Sequence, residues 1–246
     1  MNQDRTELEW NYEPTDFFEA PYQHAEIDFE LKIESGGAKA VLTAPTPSDR
    51  EAHARSLVKS LFLIRQLQVH RNYTLEGPTI SSYSLGHKNV FIEVGSAVIT
   101  LTSGSVDFII QDSAGNVVRD SKAERIAEDT SLLNLLAPKL LLSTTLSNPV
   151  ASYSKAVTDP ADEFLHLYEI RDAISDYYGS EHAARQALGI SKNQWQRLGH
   201  LANVEPLEQS RHRGKHSQGH RPATSQELDE ARKLVREWII AFARTV

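Results

Sequence analysis

The segment SDREAHARSLVKSLFLIRQLQV, residues 48–69, limits the possible folds more than any other part of the chain. Ser48 with Glu51 three positions on has the pattern of a helical capping box. The second half carries Leu57, Val58, Leu61, Phe62, Leu63 and Ile64, which is apolar nearly all round. A helix of that kind cannot lie on a surface with one stripe buried, and the partner that suits it is a sheet.

The flanking sequence supplies strands. HAEIDFELKI (24–33) alternates with period two and places Ile27, Phe29, Leu31 and Ile33 on one face. Gly36-Gly37 then makes a hairpin turn into AKAVLTA. Three further strands are expected at NVFIEVG, AVITLTS and VDFIIQD, the last ended by the turn DSAGN. A helix around KAERIAEDTSLLNLLA follows and is expected to stop before Pro138. The first part, residues 1–150, is therefore an α+β domain with an antiparallel sheet and an unknown role. It contains no Walker loop, no dinucleotide-binding glycine pattern and no HExxH.

LSNPVASYSKAVTDP, rich in Ser, Thr and Pro, reads as the boundary. Everything after it reads as helix, giving an all-α four-helix bundle over 158–246. Asp159 caps and Pro160 opens a helix ending at Gly179, Ser180 opens a short one, and Ser191/Gln194 and Thr224/Glu227 form capping boxes for two more. The last helix carries Leu228, Ala231, Val235, Trp238 and Phe242 as one apolar stripe.

The formal net charge is −7, so general affinity for polyanions is excluded. With no cysteine there are no disulfides, no thiolate metal site and no cysteine nucleophile, which fits a reducing compartment. The N-terminus has no apolar signal segment. The greasiest run, SLLNLLAPKLLLSTTL, is broken by Asn134, Pro138 and Lys139 and falls short of a membrane span. A cytoplasmic protein without a membrane segment is expected. Residues 1–34 hold ten carboxylates against Arg5 and Lys32, and this arm is a candidate internal mimic of nucleic acid.

One run stands out against that charge. QSRHRGKHSQGHRP (209–222) lies between the last two helices and carries Arg211, Arg213, Lys215 and Arg221 with three histidines and no carboxylate. Arg-x4-6-His spacing occurs at Arg65/His70, Arg211/His216 and Arg213/His220. Residues five apart on a helix point about 140° away from each other, so Arg65 and His70, in an apolar helix, do not converge. Gly214 disfavours a continuous helix between Arg211 and His216 and lets the two side chains turn toward one phosphate.

The order helix, short helix, helix, Arg-x4-His element in RHRGKH and long closing helix resembles the HEPN superfamily, over residues 160–246; the FLHLYEIRDAI helix with Tyr168 and Glu169 adds to the likeness. The resemblance implies metal-independent RNA cleavage, without a cofactor, by a homodimer associating through these helices. Arg211 would clamp the phosphate and His216 act as general acid or base. Arg213, Lys215, Arg221 and His212 would hold neighbouring phosphates, Asn203 would orient substrate, and His166 or Glu169 would tune the histidine. Three other readings stay open. The same run can bind RNA, a nucleotide or a partner without cutting; it can be an exposed linker; or His212, His216 and His220 can bind a metal from a helical face that Gly214 and Gly219 disfavour. Asp162, His166, Glu169, Asp172 and Asp176 otherwise read as a solvated helix face, and Tyr177, Tyr178 and Trp195 as core aromatics.

Overall fold

Alternation from Leu8 onward builds the first strand. In β1 (Arg5–Glu13) Leu8, Trp10 and Tyr12 are buried while Arg5, Glu9, Asn11 and Glu13 are not. The computed structural model describes residues 5–43, 48–84, 87–92, 107–112, 114–211 and 219–246. The chain divides into two compact units, residues 1–65 with 71–135 and residues 66–70 with 136–246.

The first unit holds an antiparallel sheet of β2 (Tyr22–Glu26), β3 (Phe29–Glu34), β4 (Gly37–Thr43), β1, β5 (Thr74–Ser84) and β6 (His87–Ile92), hydrogen-bonded in that order. β1, the first part of the expected acidic arm, is thus an interior strand. Its register sets Leu8 opposite Ala40 and Ile80, and Trp10 opposite Ala38. Its apolar side chains are needed in the core, so it is not a free polyanion. The long strand expected over 24–33 is also corrected: it is a hairpin turning at Ile27 and Asp28, with Ile27 fully exposed at the tip. Phe29, Leu31 and Ile33 keep the inward face. Gly36, at φ +77°, makes the next turn as expected.

Helix α1 (Ser48–Val69) covers the inward face of the sheet. Phe62 packs on Tyr12 with ring centroids 5.1 Å apart and stacks with Phe17 at 5.8 Å. Ala54, Leu57, Val58, Leu61, Phe62 and Ile64 are all buried, and each large side chain among them contributes about 2 kcal/mol. Arg50 ties the hairpin tip to the start of α1 through Glu26 and Asp28. Two short strands, β7 (Ile109–Gln111) and β8 (Val117–Asp120), form a separate pair. The expected strand AVITLTS lies outside the described residues.

Helix α2 (Ser121–Leu142) continues through Pro138, against the expected stop. Pro138 and Asn134 are exposed, so the carbonyl that the missing N–H leaves unbonded can face water. Leu132, Leu133, Leu136 and Ala137 are buried around it.

The second unit is helical. The segment read as an aperiodic boundary is helix α3 (Thr144–Thr158), capped by Ser143, whose Oγ accepts from the Leu146 N–H. Leu146, Pro149, Val150, Tyr153 and Ala156 form its buried stripe. A 3-10 turn at Pro160–Asp162 leads to α4 (Glu163–Tyr177). Asp159 does not cap it as expected, because its carboxylate goes to the His166 ring. Then come α5 (Glu181–Leu188), α6 (Lys192–Asn203) and α7 (Ser225–Thr245), with the Ser180 cap and both expected capping boxes present. Trp195 and Trp238 stack in the core, 5.0 Å apart. Among the described residues no helix is long and apolar enough to cross a membrane.

Candidate functional site

The basic run is held at both ends. After α6 the chain turns back, and the Arg211 N–H donates to the Ala202 carbonyl at 2.9 Å. At the far end the Arg221 N–H donates to Pro206 O, and the Glu208 N–H donates to Arg221 O. Leu207, fully buried, anchors the returning segment. Residues 204–211 and 219–222 are therefore tied to one another. His212, Arg213, Lys215 and His216 lie outside the described residues, as do Gly214 and two of the three histidines of the metal alternative. Among the described residues no group of three or more His, Asp or Glu could hold a metal ion.

Arg211 itself is well placed. Its guanidinium carbon lies 4.3 Å from the centre of the Tyr168 ring on α4. Arg171 lies 4.8 Å from the same ring centre and 5.1 Å from the Trp195 ring. With Trp238 beyond, alternating cations and aromatics run from the core to Arg211. The ladder has its own fixings: Arg171 Nη1 donates to the Tyr168 hydroxyl at 3.0 Å, and Nη2 donates to Glu181 at 3.0 Å. Gly199 on α6 supplies the room. A Cβ there would sit 2.6 Å from Arg171 Nη1. Arg171 and Gly199 were not singled out in the sequence, although a lone glycine inside an otherwise well-formed helix signals a close approach.

The remaining proposed residues have separate surroundings. Asn203 bonds back to the Gly199 carbonyl at 3.1 Å, while its Oδ1 is buried without a partner among the described residues. His166 sits between Asp159, 3.2 Å from Nε2, and Glu169, 3.5 Å from Nδ1. Glu169 also accepts from Ser152 of α3. Arg221 is held by Glu227 through two bonds of 2.8 and 2.7 Å, with Glu205 at 3.6 Å. That guanidinium, with the Thr224 cap, lowers the Glu227 carboxyl to about 2. Of the described cations in the run, Arg211 is the more loosely held. Its one described carboxylate neighbour is Asp172, 3.6 Å from Nη1, beyond hydrogen-bond reach. Partial burial pushes the Asp172 carboxyl up, against the pull of Arg211 and Arg171.

Of the other spacing matches, Arg213 lies outside the described residues and His70 lies beyond the end of α1, not within the helix as expected. Arg65 donates to Phe17 O at 2.7 Å and pairs with Asp129, while His70 faces Tyr153 and Glu163.

A groove of about 730 Å³ lies on the outer face of the sheet. Its lysines are spent on neighbours, Lys39 across the strands on Glu7 and Glu9 and Lys32 along its own strand on Glu34. Set against family models, curated proteins and solved structures, the chain finds no match in any of the three.

Proposed function

We propose that the helical unit binds RNA through the run 209–222 and cuts it without a metal, Arg211 holding the phosphate and His216 moving the proton. The observation that carries this reading is the setting of Arg211. Its guanidinium is fixed by the Tyr168 ring yet makes no hydrogen bond to a described residue, so its donors are not committed and can be offered to a phosphate once it takes the place of Asp172. In the proposed step the 2′-oxygen attacks the adjacent phosphorus and the bond to the 5′-oxygen breaks. The products are a 2′,3′-cyclic phosphate and a 5′-hydroxyl. One proton leaves the 2′-hydroxyl and one joins the 5′-oxygen, and imidazole near its ordinary pKa serves either transfer. A HEPN-like bundle, a homodimer through the helices that supplies two such histidines, and a cytoplasmic setting belong to the same proposal.

A second reading, binding without cleavage, is favoured by the engagement of Arg221 with Glu227, which leaves fewer cations free to grip the transition state. Incubating the full chain with end-labelled RNA in EDTA separates the two. Cyclic-phosphate ends, lost in Arg211→Ala and His216→Ala, support cleavage. Retention of intact RNA, weakened in Arg211→Ala, supports binding alone. Neither product nor binding would remove both readings.

A further inference from the structure

We propose that Asp172 is a built-in competitor for the phosphate that Arg211 is to hold, so that RNA must displace a carboxylate before it engages the site. The inference rests on the RNA reading above and extends it to the regulation of affinity.

The geometry distinguishes Arg211 from the other described cation in the run. Arg221 makes two short bonds to Glu227, a bidentate fork that also closes the capping box of α7. Displacing it would break both charge-assisted bonds to the carboxylate that caps α7. Arg211 faces Asp172 at 3.6 Å through one pair of atoms, with side-chain exposures of 31% and 57%. Such a pair steers charge without locking it. The Tyr168 ring, not the carboxylate, fixes the guanidinium in place. Asp172 can therefore yield while Arg211 stays in position.

Asp172 makes no hydrogen bond to another described side chain, and its second cationic neighbour is Arg171. Neighbouring Arg171 is committed to Glu181 and to the Tyr168 hydroxyl, and Glu169 to Ser152 and His166. Its place, one turn along α4 from Tyr168, puts a negative charge beside the donors that an incoming phosphodiester needs. The carboxylate repels that phosphate and occupies the approach to Nη1. A site arranged in this way discriminates against weakly bound anions and favours a polyanion with other contacts to contribute.

The test measures binding of a fluorescein-labelled single-stranded RNA to the full chain by anisotropy at low salt. Wild type is compared with Asp172→Asn, Arg211→Ala and the double variant. Asp172→Asn should bind about three- to tenfold tighter, from the removed repulsion and the freed donor. That gain should largely disappear in the Arg211→Ala background, because the carboxylate acts through Arg211. An equal gain in both backgrounds would show only general electrostatics and overturn the proposal. So would unchanged affinity in Asp172→Asn when Arg211→Ala weakens binding, and in that case the RNA reading survives. If Arg211→Ala leaves RNA affinity unchanged, the RNA reading and the competitor role fall together. Circular dichroism melting of each variant shows that the comparison is between folded proteins.

Discussion

Replacing His70 with Asn removes a half-buried imidazole whose protonation opposes folding. His70 follows α1 with φ at +47°, a left-handed conformation that favours Gly or Asn, so its side chain and not its backbone preference accounts for its presence. Nδ1 lies 3.1 Å from the Tyr153 hydroxyl and Nε2 3.3 Å from Glu163, a carboxylate almost wholly buried and held by Arg232 at 2.7 and 2.8 Å. A neutral ring satisfies both neighbours: Nε2–H donates to Glu163, and Nδ1 accepts from Tyr153. Burial, with the Arg232 guanidinium close by, lowers the His70 pKa to about 3. The unfolded chain binds that proton near pH 6.5, so stability is complete above pH 6.5 and falls as the pH drops toward 3. At about pH 4.5, two units below the unfolded value, the loss from this one group is about 2–3 kcal/mol.

Asn fits the backbone and does not titrate. At about pH 7.5 His70→Asn should cost about 1–2 kcal/mol for the lost hydrogen bonds. Between that pH and about 4.5 it should then lose about 2–3 kcal/mol less than wild type, the other carboxylates contributing equally to both. Urea denaturation followed by tryptophan fluorescence, with Trp195 and Trp238 in the helical core, gives the comparison. Proton–carbon NMR of the histidine rings, with the His70 signal assigned by its absence from the variant, gives the pKa directly. Parallel stability profiles, or a His70 ring that titrates at or above 6.5, would refute the reasoning.

Two further substitutions test the packing. Gln66 is 1% exposed, and both polar atoms of its amide lack a partner among the described residues, so Gln66→Leu should stabilise the protein by about 1–2 kcal/mol in the same denaturation assay. Gly199→Ala gains up to about 1 kcal/mol of helix propensity but drives a methyl against Arg171 Nη1. The guanidinium must leave the Trp195 and Tyr168 faces, so stability should change little or fall by about 1 kcal/mol while RNA affinity drops.

What the sequence discloses about this fold depends on how far apart its partners lie. The capping boxes of α6 and α7 join residues three positions apart, so Ser191/Gln194 and Thr224/Glu227 could be read directly and are present. Composition misled where it hid periodicity. In β1, Glu7, Glu9 and Glu13 drew attention as charge, although Leu8, Trp10 and Tyr12 alternate with them as an inner strand requires. In α3 the Ser, Thr and Pro content masked the spacing of Leu146, Val150 and Tyr153. Ile27 failed for another reason: alternation continues unbroken across a two-residue hairpin tip, so the pattern alone cannot tell one strand from two.

The candidate site shows the same dependence more sharply. Arg211 was legible as a cation in a basic run, but what makes it a candidate is the Tyr168 ring beneath it and the Asp172 carboxylate beside it, both on a different helix. Tyr168 and Asp172 are neighbours through helical spacing, and Arg171 between them belongs to the same surface. The three could therefore be grouped in advance as one patch on α4. Nothing local says which later segment would close over that patch. The link is the Arg211 N–H bond to Ala202, at the end of a helix whose Gly199 leaves space for Arg171. A small residue in one helix, an arginine in another and the start of a loop determine one another only once α4 and α6 are packed. The position of the guanidinium is accordingly a property of the packed helices, and residue types along the chain could only nominate it.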